Sequence, residues 1–109
     1  SDLAQRARNN KLEADEIFGS TFTVTNPGIF GSLFGMAIIN QPNVAILSVG
    51  AITKKPVVKE THYGDVVAIR SMMYLTLGYD HRIIDGAYGT QFLAKIIEVL
   101  ENFNIDEVK

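Results

Sequence analysis

A chain of 109 residues has room for one domain and leaves little for a second. Hydrophobic residues make up 47% and charged residues 20%, the balance of a globular protein and not of a disordered one. Ten Lys+Arg against twelve Asp+Glu give a net charge of −2, which argues against nucleic acid or an anionic membrane surface as the main partner.

The chain has no cysteine, so disulfides and thiolate metal sites are excluded, and a reducing compartment fits. Its apolar runs are broken well short of the ~20 residues that a bilayer crossing needs. No basic, apolar, small-residue leader opens it. A soluble compartment is expected. The first residues read as mid-protein sequence, so the chain is expected to be a piece of something larger.

Residues 1–10 are predicted to be helical, with Leu3, Ala4 and Ala7 on one face and Asn9-Asn10 as the stop. The acidic stretch Glu13 to Glu16 is predicted as a short turn or solvated loop. Thr21 to Thr25 alternates polar and apolar β-formers and reads as a strand, ended by Asn26-Pro27-Gly28. A loop follows in which Gly28, Gly31 and Gly35 punctuate Ile29, Phe30, Leu33 and Phe34, a pattern that predicts a loop packed into the structure. After the turn at Asn40-Gln41-Pro42, Val44 to Val49 reads as a buried strand. Ala51 to Val58 reads as an edge or bent strand, because Pro56 has no N–H for a ladder. Residues 61–65 read as a hairpin turn, returning through Val66 to Arg70 into Met72 to Leu77. A polar string, DHRIIDG, spans Asp80 to Gly86. Beyond it, Phe92, Leu93, Ile96, Leu100 and Phe103 recur at helical spacing within a helix over 87–103. The order of elements predicts an α/β or α+β fold with a mixed sheet.

Chemistry concentrates in that polar string. His62 lies in the hairpin turn and reads as a solvated turn residue. His81 follows an apolar strand and stands four residues before Asp85. On a helix the two would share a face, and an imidazole beside a carboxylate suits general base work. The alternative from the same residues is a capping or salt-bridged corner at the start of the last helix, with Asp85 paired to Arg82 or another cation. A metal site is a poor reading, because Asp80, His81 and Asp85 lack a second His or any Cys nearby. The glycines at 28, 31 and 35 do not have the G-x-G-x-x-G spacing of a phosphate cradle, and no G-x-S-x-G elbow is present.

The string YDHRIIDG, Tyr79 to Gly86, resembles the C-terminal signature of dihydrolipoamide acyltransferases, the core components of 2-oxo acid dehydrogenase complexes. SDLAQRARNNKL, GSTFTVTNPGIFGS, MAIINQPNVAILSVGAITKKPVV and MMYLTLGYDHRIIDG resemble further blocks of the same family in the same order. A bare H-x-x-x-D-G is weak support; four blocks in register are strong. Chloramphenicol acetyltransferases and peptide-synthetase condensation domains share that shorter motif. Condensation domains carry a second histidine where this chain has Asp80.

The resemblance implies a chloramphenicol acetyltransferase-like mixed sheet packed by helices. About half of that domain is here, with residues 1–109 its C-terminal part. It implies transfer of an acyl group between a dihydrolipoyl thiol and coenzyme A, the lipoyl group being carried on a domain outside this chain and no metal being used. In that reading His81 matches the family's base, and Thr25 takes the place of its Ser or Thr oxyanion donor. Asp85 matches the motif carboxylate, holding the His81 loop through a cation. The family builds homotrimers with active sites at the interfaces and larger cages from them. It binds 2-oxo acid dehydrogenase and dihydrolipoamide dehydrogenase components through other domains. A bacterial cytoplasm, or a mitochondrial matrix in a eukaryote, is the implied location.

Two departures stand out. The family's first half-domain is absent, and the chain ends NFNIDEVK in place of a leucine-rich tail. Residues 72–82 are most like succinyl-transferring relatives, while MAIIN and the run from Ile52 to Val58 are like branched-chain or acetyl ones. The acyl group therefore stays open. So do two other readings: a core-assembly piece without turnover, and a stand-alone acetyltransferase of the chloramphenicol type.

Overall fold

The apolar run at 44–49 becomes the centre of the fold in the computed structural model, which describes residues 1–108. Strand β2 (Ala45–Val49) buries Ala45, Ile46 and Leu47 together with Ser48. Burial on both faces is why this strand reads as a continuous apolar run and not as an alternation. It is paired on both edges. Strand β1 (Thr23–Thr25) runs parallel to it, and strand β5 (Leu75–Tyr79) antiparallel, in the order β1-β2-β5. The register sets Thr25 beside Ser48, Ser48 beside Thr76, and Ala45 beside Tyr79. The expected mixed sheet is present.

Strands β3 (Thr53–Thr61) and β4 (Gly64–Met72) form a hairpin that pairs only with itself. Gly64 sits at φ 113° where the chain reverses, a conformation that glycine adopts without steric cost. Pro56 lies opposite Ile69 on a strand with one free edge, in line with its missing N–H. The run expected to pass unbroken from Met72 to Leu77 is instead divided at Met73-Tyr74, where the chain leaves the hairpin for the three-stranded sheet. The Gly50 N–H donates to the Tyr74 carbonyl at 2.9 Å and ties the two sheets together there. The radius of gyration, 17.4 Å, exceeds the ~13 Å of a compact domain of this length, because the hairpin stands away from the rest.

Helix α1 (Asp2–Arg8) ends where expected, with Asn10 at φ 55°. The acidic stretch after it takes the first of the two expected forms, a short turn, as a single exposed turn of helix. Glu13 caps a short helix, α2 (Ala14–Ile17), through a reciprocal capping box in which the Glu13 N–H donates to Glu16 Oε2 at 2.9 Å. Both Glu16 oxygens also accept from the Arg6 guanidinium, at 2.6 and 2.7 Å. That fork, and then the Glu13 N–H, hold the Glu16 carboxyl down at about 2.

Helix α3 (Gly86–Glu101) lies against β5. Its Gly89 is buried on the Tyr79 ring, so closely that a Cβ there would stand 2.8 Å from it. Leu93 and Ile96 face inward and are half-buried, and Phe92 meets Phe22 with ring centroids 5.8 Å apart. Leu100 and Phe103, in the predicted stripe, stay exposed.

The glycine-punctuated segment departs most from expectation. A 3-10 turn (Pro27–Phe30) opens it, and Phe30, Met36 and Ile38 are 88%, 95% and 92% exposed. Among the described residues, these three side chains are left largely uncovered. The Phe34 ring does meet Tyr74 edge-on, with centroids 6.0 Å apart, and backbone contacts anchor the rest of the segment. The Ala51 N–H donates to the Ser32 carbonyl at 2.8 Å, and Gly50 lies directly against the Leu33 carbonyl.

That approach leaves no room for a side chain at position 50. Gly50→Ala should destabilise the protein by on the order of 1–3 kcal/mol, lowering its melting temperature by several degrees. Gly35→Ala, whose Cβ would meet only the Pro27 ring at 3.8 Å, should melt close to wild type. Equal melts for the two variants would contradict the packing at Gly50.

Candidate active site

The turn after β5 is built around Asp80. Its N–H donates to the Val44 carbonyl at 2.8 Å, extending the β2–β5 pairing by one step. Its own carbonyl accepts from the N–H groups of Ile83 and Ile84, at 3.0 and 2.9 Å. Oδ1 of its carboxylate accepts from the Arg82 N–H at 3.1 Å and from Arg82 Nε at 3.0 Å, and Oδ2 accepts from Arg82 Nη2 at 2.9 Å. The Arg82 guanidinium, followed by its backbone N–H, holds the Asp80 carboxyl below its ordinary value. Arg82 is raised in turn by the same carboxylate.

His81 lies between these two partners, so its backbone is fixed from both sides while its side chain is exposed. The imidazole stands 5.6 Å, centroid to centroid, from the Tyr79 ring, tilted by 37°. Among the described residues no hydrogen bond reaches either ring nitrogen. The group is held at its base and free at its tip, where a ring nitrogen is open to an incoming proton donor.

Asp85 does a different job from the one its spacing suggested. The turn begun at Asp80 does not continue into α3, because Asp85 is extended, at φ −81° and ψ 167°. It is the N-cap of α3, with Oδ1 accepting the Tyr88 N–H at 2.7 Å. His81 and Asp85 therefore do not share a helical face. The capping corner is the arrangement found, with Arg82 bound to Asp80 and not to Asp85, and among the described residues no cation reaches Asp85.

Thr25 is the last residue of β1, half-buried, just before the 3-10 turn. It stands level with Ser48 and Thr76, whereas His81 hangs beyond Tyr79, which is level with Ala45. At ~3.4 Å per residue along a strand and ~4.8 Å between strands, the two sites are separated by about 10 Å in each direction before the turn is counted. One chain does not bring Thr25 and His81 together. His62 sits exposed in the hairpin turn, edge-on to Tyr63, as expected for a solvated turn residue. Among the described residues no cluster of three or more His, Cys, Asp or Glu is arranged to hold a metal, and no helix is long and apolar enough to cross a membrane. The role of Asp80 was missed in the sequence. Its signal was the Asp-x-Arg spacing, which lets one carboxylate accept both a backbone N–H and a guanidinium two residues on.

Residues 1–105 match the family described as 2-oxoacid dehydrogenases acyltransferase (catalytic domain). The chain belongs to that family. It is 46% identical over 103 residues, 94% of its length, to the succinyltransferase component of the 2-oxoglutarate dehydrogenase complex of Buchnera aphidicola. It is also 46% identical over 105 residues, 96% of its length, to the lipoamide acyltransferase component of the branched-chain alpha-keto acid dehydrogenase complex of Bacillus subtilis. It spans 24% of each of these relatives, about a quarter of their length. A probable dihydrolipoamide acetyltransferase from Listeria monocytogenes superposes on 95% of this chain with a TM-score of 0.87 and 43% identity, and the overlap is 43% of that protein. The mixed sheet packed by helices is thus part of the acyltransferase catalytic fold. Azotobacter vinelandii dihydrolipoamide acetyltransferase superposes on 93% of this chain and is overlapped over 40% of its own length, with a TM-score of 0.83 and 37% identity. Its structure was determined to examine the role of a serine, a histidine and an asparagine four residues beyond that histidine in its catalytic mechanism.

The Asp80–Arg82 pair makes the stability of this turn fall at acid pH. A carboxyl depressed on folding adds stability above its ordinary value and loses it as pH falls through the folded-state value. Followed by the NMR shift of its carboxyl carbon, Asp80 should titrate below the ordinary aspartate range, and Arg82→Ala should raise the midpoint toward that range, the backbone N–H of residue 82 still holding it partly down. A midpoint unmoved by the substitution would exclude Arg82 as the cause.

Proposed function

We propose that residues 1–109 are the C-terminal part of a dihydrolipoamide acyltransferase catalytic domain. The parent protein then moves an acyl group between a dihydrolipoyl thiol and coenzyme A, with His81 as general base. The observation that carries this reading is the DHRIIDG turn, which fixes the His81 backbone between Asp80 and Arg82 and leaves the imidazole exposed. The Azotobacter relative lends support, since its histidine and asparagine have the same four-residue spacing as His81 and Asp85.

A thiol near its ordinary pKa is mostly protonated at neutral pH and is a weak nucleophile until its proton is taken. His81 accepts that proton as the sulfur attacks the carbonyl carbon of the other partner's thioester. The carbonyl oxygen becomes an oxyanion, and the Thr25 hydroxyl donates to it. Collapse breaks the original C–S bond, and the departing sulfur takes the proton back from the imidazolium. The acyl group has changed thiols with no net proton consumed. The coenzyme A thiol and the lipoyl thiol are the substrates, the second brought by a domain outside this chain. Asp85 contributes by capping α3, which holds the far side of the turn.

Because Thr25 and His81 stand at opposite ends of one sheet, we place the complete site between two subunits of a homotrimer. Exposed Phe30, Met36 and Ile38 are then covered by the upstream half of the domain or by a neighbouring subunit. Association of trimers into a cage, and binding of the dehydrogenase components through other domains, belong to the same reading. Near-equal identity, 46–48% to succinyl-transferring relatives and 46% to a branched-chain one, leaves the acyl group to experiment, for which acetyl-, succinyl- and isobutyryl-coenzyme A with free dihydrolipoamide form a sufficient panel.

In the full-length parent, His81→Ala should lower turnover by roughly 10²–10⁴-fold on the preferred acyl donor with little change in melting temperature. Unchanged turnover would remove His81 from the chemistry, and a collapsed melt would make it a structural residue.

The shared site makes its own prediction. Thr25→Ala should cost about 10²–10³-fold for one lost oxyanion donor. When His81→Ala and Thr25→Ala parents are unfolded, mixed and reassembled, a trimer with two chains of the first kind and one of the second has one intact site in three. The mixture should therefore exceed both mutants reassembled alone. Activity that only averages theirs, with hybrid trimers verified by native mass, would place the site within one chain.

A further inference from the structure

The edge strand that carries Thr25 is short and weakly held. Strand β1 has three residues and pairs with β2 alone. A slip of one residue in such a strand turns every side chain to the opposite face, and Thr25 would exchange places with Val24. Three paired residues supply little resistance to that slip.

A buried amide does supply it. Asn43 lies two residues before β2 and is 6% exposed. Its backbone is set by a turn in which its N–H donates to the Asn40 carbonyl at 2.9 Å. Its side chain reaches across to the chain leading into β1. Oδ1 accepts from Thr23 Oγ1 at 3.1 Å, and Nδ2 donates to the carbonyl and to Oγ of Ser20, both at 3.1 Å. Both Nδ2 bonds and the Oδ1 bond link β1's approach to β2, so slippage would leave a buried amide unsatisfied, an expensive outcome. Thr23 and Thr25 alternate with Val24 and so share one face of the strand. Thr23 spends its hydroxyl on Asn43, and among the described residues no hydrogen bond engages the hydroxyl of Thr25.

We infer that Asn43 is a positioning residue for the acyl transfer, fixing the register of β1 through Thr23 and Ser20 so that the Thr25 hydroxyl faces the reacting carbonyl. The inference rests on the reading of Thr25 as oxyanion donor given above. Asn43 itself touches no substrate. Its effect on the rate passes entirely through Thr25.

That last property makes the test sharp. In the assembled full-length parent, Asn43→Ala should lower kcat by about 10–100-fold, the scale on which a displaced catalytic group acts, with KM for coenzyme A within about twofold of wild type. Thr23→Val removes one bond of the clamp while keeping a branched strand side chain. It should lower kcat by about threefold, as the loss of one neutral hydrogen bond does. In a Thr25→Ala background neither substitution should lower kcat further, because the hydroxyl that they misplace is already gone. The same fold-loss in both backgrounds would overturn the inference and make Asn43 a general structural residue. So would an unchanged kcat, or a rise in KM alone. Should Asn43→Ala fail to assemble, the Thr23→Val pair decides on the same criteria. Full activity of Thr25→Ala alone would instead remove the oxyanion assignment, and the role of Asn43 with it. Impaired Thr25→Ala with multiplicative Asn43→Ala leaves the assignment standing and rejects only Asn43.

Discussion

Strand β2 is buried on both faces and hydrogen-bonded on both edges, and the placement of the site follows from that constraint. Its N–H and C=O groups lie away from water and must be paired on both sides. The partners differ in direction. Parallel β1 leaves the sheet at the end where β2 finishes, level with Ser48. Antiparallel β5 leaves it at the end where β2 begins, level with Ala45. Thr25 and His81 each follow one of these strands, so opposite strand directions put them at opposite ends. In the function proposed above, a site that uses both residues therefore lies between chains.

At each end a polar side chain does the anchoring and leaves its neighbour free. Asp80 uses its backbone and its carboxylate to hold the turn around His81. Asn43 uses its amide to hold the start of β1, which carries Thr25. The division has a physical logic. A residue whose hydrogen bonds are already satisfied within the protein is a stable anchor but a poor reagent, and an adjacent residue with its polar tip open is the reverse. Asp85 belongs with the anchors, since its carboxylate is engaged at the head of α3.

The apolar side chains that this chain leaves exposed fit its overlap with about two-fifths of the structurally similar Listeria protein. A two-stranded hairpin such as β3–β4 is marginal by itself in water, and it stands out from the three-stranded sheet with Val67 and Ile69 each 75% exposed. Phe30, Met36 and Ile38 lie on the connection between two parallel strands, a place where such folds normally carry a covering helix.

The sequence by itself determined the local elements and the candidate chemistry. Apolar continuity marked β2, proline marked the edge strand, helical spacing marked α3, and DHRIIDG within four ordered blocks marked the family and His81. These signals act over a few residues, through side-chain period and backbone preference, and so survive in a linear reading. Other features did not show there, some because they depend on partners distant in the chain and some because two local geometries compete for the same residues. Arg6 grips Glu16 from ten residues away, and Gly50 and Ala51 anchor by backbone a loop that apolar content marked for packing. Extended geometry at Asp85 selects the helix cap over a face shared with His81, two readings that the same residues left open. Only the tertiary structure decided that Thr25 and His81 lie apart and that Asn43 spans two strands. Both outcomes depend on strand direction and register, which are set by pairing across the sheet and which no stretch of sequence encodes alone.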